Sequence, residues 1–356
     1  MQKFYLGCLM LTLSIGVSAQ GFVPDFNPKT YVAYRAQHSL LIDGIANERD
    51  WQQALWTDDF VDIEGNKKPS PRFRTRVKML WDEQFFYFLA ELEEPHIWAT
   101  LRQRDTVIFY DNDFEIFIDP DGDTHRYYEF EMNAFNTIWD LLLITPYRDH
   151  ANAVLNAWDM RGVKTGVSIH GSINDPSDKD EKWTVEIALP WKVLKEQAPN
   201  RRRPEIGDYW RVNFSRVEWQ VDVVEGKYVK RKHPDGSKNL REDNWVWSPQ
   251  GVINMHRPET WGFVFFADQA GATSEITFEI PAHEYLKWEL RKLYYAQRDY
   301  YSKNKTYADQ LNELNIKIPD KTEMTSGHFG YTISVQNPDT GTHWHINEQG
   351  HTWEKD

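Results

Sequence analysis

The sequence predicts an all-β fold, an antiparallel β-sandwich followed by one α-helix and a terminal hairpin. Short segments of alternating or continuous apolar residues recur between turn signals, with no βαβ alternation. Helical spacing is confined to the stretch after Pro281, where Leu286, Leu290, Leu293, Ala296 and Tyr300 recur at intervals of four, three, three and four. The chain also carries 16 Trp, 17 Tyr and 19 Phe, more rings than a core requires, so some are expected to face a ligand.

Taken in order, the first element is a leader. MQKFYLGCLMLTLSIGVSAQ has a short basic start at Lys3, an apolar run through Val17 and the small pair Ser18-Ala19, the anatomy of an export signal over residues 1–19. A lipid anchor through Cys8 is disfavoured, because too few residues precede it for an apolar core. An exported protein, periplasmic or secreted, is expected. Cys8 is the only cysteine, so processing leaves no thiol and excludes disulfides, zinc-thiolate sites and covalent haem attachment. No later apolar run is long enough to span a bilayer. The net charge is −13, and −14 once Lys3 leaves with the leader, which argues against nucleic acid as a partner. The basic clusters at Arg201–Arg203 and Lys227–Lys232 lie in Pro-, Gly- and Asp-rich connections and are read as solvated loops.

The sandwich is expected over residues 20–270. VKMLW and FFYFLAELE flank Asp82-Glu83-Gln84 as a hairpin. In DFEIFID the residues Phe114, Ile116 and Ile118 share one face, and Asp113, Glu115, Phe117 and Asp119 the other. In YYEFEMN, Tyr128, Phe130 and Met132 point inward and Glu129, Glu131 and Asn133 outward. Paired across the intervening turn, these strands would present carboxylates, an amide and rings on one open sheet surface. TIWDLLLI, GVKTGVSIHGS, WTVEIALPW, YWRVNFSRVEW, NWVWS and WGFVFF supply further strands. Residues 271–356 are read as an extension packed on the sandwich: the helix, then FGYTISV and THWHI around NPDTG as a hairpin.

Several residues carry candidate chemistry. Glu115 and Glu131 could accept hydrogen bonds from vicinal sugar hydroxyls, each charge-assisted bond worth roughly 1.5 to 3 kcal/mol, or form the solvated face of a sheet. The same two carboxylates are the pair to test for a glycoside hydrolase, which needs them about 5 Å or about 6.5 to 9.5 Å apart. Arg216, in an otherwise apolar strand, calls for an acid partner, with Glu115 and Glu131 the candidates. Trp139, Trp183 and Trp191 alternate with aliphatic residues and read as core, whereas Trp245 and Trp247, beside a Ser-Pro-Gln-Gly turn, could be core or platform. His256 precedes a proline-led approach to the last sandwich strand and reads as a structural histidine or a sugar contact. Asp119, Asp121 and Asp123 with Gly122 have the every-second-residue spacing of calcium loops. The twelfth position from Asp119 is Phe130, not the closing acid of an EF-hand, so a hydrogen-bonded Asp-Gly turn is the competing reading.

Seven segments in one order carry a resemblance: IDGIANERDW, VKMLWDEQFFYFLAEL, NDFEIFIDP, YYEFEMN, WTVEIALPWKVL, GDYWRVNFSRVEW and WVWSPQG…MHRPETWGFVFF. Across about residues 40 to 267 the chain resembles the family 9 carbohydrate-binding modules and their wider group of DOMON-like β-sandwiches. The resemblance implies a non-catalytic sandwich that binds oligosaccharide or polysaccharide, often with structural calcium, in support of polysaccharide capture or catabolism. Glycan-degrading enzymes would be its partners. The family's first-strand Glu falls on Glu115 and its Asn on Asn133. Where it has Arg, this chain has Glu131; one ring-clamp position is Phe109 or Tyr110, and the other lies near Met255-His256. A haem-binding relative, with axial ligands drawn from Met132, Met255 and His256, is the remaining alternative.

Overall fold

The computed structural model describes residues 25–149, 154–269, 276–327 and 329–356. The leader over 1–19, with Cys8, lies outside them. The principal unit is a thirteen-stranded sheet. Its order across the sheet runs through strands Ile138–Leu143, Tyr127–Asn133, Asp113–Asp119, Tyr209–Glu218 and Gly262–Gln269, then Thr30–Arg35, Thr75–Trp81, Phe85–Glu93, Lys182–Pro190 and Lys164–His170. Four strands that alternate with period two or run fully apolar between turn residues, such as Phe85–Glu93, are central and buried on both faces.

The sheet folds back on itself. Phe88 and Phe214, on strands separated by three others in the pairing order, have ring centroids 5.8 Å apart. Phe114 stacks on Phe214 at 5.9 Å, and Phe86 on Trp191 at 5.4 Å. This interior is the sandwich core, and Phe114, Ile116, Ile118, Tyr128, Phe130 and Met132 all enter it, as their alternation predicts. Trp183 and Trp191 are core as well. The pairing is antiparallel except for Thr30–Arg35, which runs parallel to both Gly262–Gln269 and Thr75–Trp81 and so joins the two layers.

The C-terminal unit is larger than a helix and hairpin. After the helix Ala282–Asn304, the hairpin Gly330–Gln336 with His343–Asn347 is present, but strands Thr322–Gly327 and Thr352–Lys355 flank it in a four-stranded meander. The predicted helical stripe packs on this sheet: Leu290 and Leu293 are buried with Ile333, Val335 and Ile346, and Leu286, Ala296 and Tyr300 lie against the same cluster. The outer strands escaped the sequence reading because TEMTSG and TWEK contain few apolar residues to alternate. Polar contacts hold the unit to the sandwich. Tyr294 and Tyr295 donate to Asp149 and Glu259, Arg298 reaches Asp149 at 2.7 Å, and His351 meets Asp123 at 3.0 Å. Among the described residues no helix is long and apolar enough to cross a membrane.

Candidate functional site

The site grows from strand register. Glu115 pairs with Glu131, and Asp113 with Asn133; Glu131 pairs with Trp139, and Glu115 with Ser215. One cross-strand row therefore reads Trp139, Glu131, Glu115, Ser215, and the next holds Glu129 beside Phe117. Side chains directly across a sheet lie close enough to interact. Asp113, Glu115 and Glu131 each bring an oxygen within 4.8 Å of the others, and Glu129 adjoins Glu131 on the same face.

The expected open surface is absent. Asp113 is 0 % exposed, Glu115 5 %, Glu129 5 % and Glu131 1 %, because Phe109 and the segments 144–149 and 254–261 pack over this face. Beside the acids, Phe117, Tyr127, Leu141, Leu143 and Trp261 form a second small core there. Polar partners are few: Val217 N–H donates to Asp113 at 3.2 Å and Phe109 N–H to Glu131 at 3.2 Å. Burial, then mutual repulsion, holds the acids toward their neutral forms. Glu115 is pushed up to about 7 by burial, opposed by nearby Ser215. Asp113, Glu129 and Glu131 rise well above the ordinary carboxylate range, burial first and the Glu115 charge second.

Aromatic groups surround this acidic floor. Tyr110 and Tyr147 are 56 % and 50 % exposed, and Phe109, Trp139 and His256 are partly exposed. Phe109 and Tyr110 meet edge to face at 5.0 Å; Trp219 anchors them by donating its indole N–H to Phe109 O at 2.9 Å. The Lys230 ammonium lies 3.4 Å from the Trp219 ring centroid and 5.6 Å from that of Tyr110. Tyr147 meets His256 edge to face at 4.4 Å. The Tyr147 hydroxyl is raised by burial and then by the charges of Glu129 and Glu131.

Four predicted site residues have other roles. Arg216 sits on the inner face, opposite to Glu115. Its partners are Glu94 and Glu218, each 2.9 Å away, because it shares parity with Val212 and Phe214 rather than with Ser215. Trp247 is core, 1 % exposed. It lies so close over Gly262 that a Cβ there would fall 2.4 Å from its ring. Asn133 is internal: its amide donates to Leu101 O and Asp111, and its oxygen accepts from Phe135 and Thr137 N–H. His256 shares a 2.9 Å hydrogen bond with the Tyr127 hydroxyl, and burial, then Arg148, lowers it to about 3. Of the residues named for a haem, Met132 points into the sandwich core, on the opposite face from Met255 and His256. Sequence reasoning put Asp113 and Glu129 on this face without naming them as site residues, and it passed over Tyr147. Parity pointed to the two acids, but nothing in the sequence brings residue 147 to this face. Trp139, read as core, stands in the same row as Glu131.

At the turn, one oxygen from each of Asp119, Asp121 and Asp123 lies within 4.8 Å of the others. These acids are already engaged. Asp119 accepts Gly122 and Thr124 N–H at 3.0 and 2.9 Å, and Asp123 accepts from His125 N–H, Arg126 and His351. These bonds make a hydrogen-bonded Asp-Gly turn, while burial and mutual repulsion hold Asp119 and Asp121 toward their neutral forms.

An aromatic-rimmed site on the outer face of a β-sandwich is the class that the fold and geometry define. Residues 42–207 match the model of the family described as carbohydrate family 9 binding domain-like. Among solved structures, a family 9 carbohydrate binding module from Caldicellulosiruptor kristjanssonii in complex with cellotriose aligns over 70 % of this chain and 100 % of its own, at 14 % identity and TM-score 0.43. The module with glucose gives 69 %, 100 %, 14 % and 0.42. A candidate carbohydrate-binding protein from Bacteroides uniformis ATCC 8492 aligns over 67 % of this chain and 100 % of its own, at 16 % identity and TM-score 0.49. No curated protein matches the chain.

Proposed function

We propose that this protein is an exported carbohydrate-binding protein that captures oligosaccharide or polysaccharide at the aromatic rim over Glu115 and Glu131, in support of glycan breakdown by partner enzymes. The observation that carries this reading is the exposure of Tyr110 and Tyr147 beside buried carboxylates within a CBM9-like domain. A pyranose presents an apolar C–H face to a ring and hydroxyl donors to acceptors. Tyr110 and Tyr147 would supply the first with their rings and the second with their hydroxyls, above the buried Glu115 and Glu131. Export rests on the leader sequence.

Calorimetry and a glycan array with the full chain test the reading. Tyr110→Ala and Tyr147→Ala should each weaken binding up to about tenfold, since a ring contact contributes roughly 0.5 to 1.5 kcal/mol. Absence of binding to every glycan overturns the proposal. Release of new reducing ends from a polymer would instead make Glu115 and Glu131 a hydrolytic pair.

A further inference from the structure

Among the described residues, the other buried acids are supplied with cations or N–H donors. Glu94 and Glu218 share Arg216; Glu284 has Arg211 and Lys287; Glu259 and Asp149 share Arg148. Glu186 accepts from the N–H groups of Asp43, Gly44 and Trp51. Asp113, Glu115, Glu129 and Glu131 differ. Among the described residues none of the four forms a salt bridge, and only two backbone N–H bonds reach them. One oxygen each of Asp113 and Glu129 has no hydrogen-bond partner. Leaving several carboxylates buried without counter-charge costs several kcal/mol per ion.

A separate observation points to a ligand. Ser215 Oγ is fully buried, has no partner meeting hydrogen-bond geometry, and stands directly across from Glu115 on the same face. It adds a neutral oxygen donor to three carboxylates. Oxygens that lie within 4.8 Å of one another span about twice a calcium–oxygen distance of roughly 2.3 to 2.6 Å. Magnesium, at roughly 2.0 to 2.1 Å, needs a tighter set.

We propose that Asp113, Glu115 and Glu131, with Ser215, hold a divalent cation of calcium size beneath the aromatic rim. Glu129 contributes charge from the neighbouring row. This site is distinct from the Asp119–Asp123 turn, and it stands whether or not a glycan binds above it.

The test is calcium titration into the chelator-treated full chain by calorimetry, followed by terbium luminescence sensitised through Trp139 and Tyr147. Wild type should bind calcium and give a terbium signal. Glu115→Gln and Glu131→Gln, which keep shape, should lose that site or weaken it at least tenfold. Ser215→Ala should weaken it several-fold, and Asp121→Asn should leave it intact. Circular dichroism of each variant without metal checks that the fold persists. No calcium binding at millimolar concentration, or binding abolished by Asp121→Asn and untouched by Glu131→Gln, overturns the proposal.

Discussion

The strand cluster of Asp113, Glu115 and Glu131 and the turn cluster of Asp119, Asp121 and Asp123 both gather carboxylate oxygens within 4.8 Å of one another, and they differ in the donors around them. A turn exposes its own N–H groups, so Asp119 finds Gly122 and Thr124 within its own loop, while Arg126 and His351 answer Asp123. Central strands spend their N–H groups on the ladder and leave side chains on a face with no local donors. Acid spacing alone therefore does not distinguish a satisfied turn from an unanswered cluster; the available donors do.

The largest test of this contrast uses the inner-face acids, which have a cation. Arg216→Met should destabilise the protein by about 3 to 5 kcal/mol, because Glu94 and Glu218 are left buried without counter-charge. Urea denaturation measures it, and a loss below about 1 kcal/mol would show that buried acids in this sandwich tolerate isolation. Next in size are two substitutions with opposite signs in chelator. Asp119→Ala should cost about 1 to 3 kcal/mol by stranding two N–H groups, whereas Glu131→Gln should stabilise by about 1.4 kcal/mol for each pKa unit of relieved strain. Equal losses from both would remove the distinction.

A last test, spread over pH rather than read at one condition, concerns His256. Its folded value of about 3 lies below the ordinary 6.5, so the unfolded chain takes up a proton first as pH falls. Stability should be fully present above pH 6.5 and decline toward pH 3, by at most about 1.4 kcal/mol per unit. Comparing wild type with His256→Gln across that window isolates the term, and parallel curves would exclude it.

Much of the sandwich was legible because period-two alternation fixes which side chains enter the core, as in Phe114, Ile116 and Ile118. The same parity placed Glu115 and Glu131 together on the outer face. It could not show that the face is covered, since Tyr147 and Trp261 arrive from loops that strand parity does not place, and Phe109 folds back from the short helix just ahead of Asp113. Arg216 was misassigned for a related reason: its charge suggested an acid partner, but its parity with Phe214 sent it inward to Glu94 and Glu218. Trp247 turned on Gly262, fifteen residues away in the chain and beneath its ring in space.

The strand Thr30–Arg35 bears on how the molecule is made. It pairs with residues 263–269 on one side and with Leu80 and Trp81 on the other, so the first strand of the sandwich waits for nearly the last. Contacts between such distant parts of a chain form slowly. The two layers cannot lock together until residue 269 has been made, so the sandwich closes only when nearly all of its strands are available.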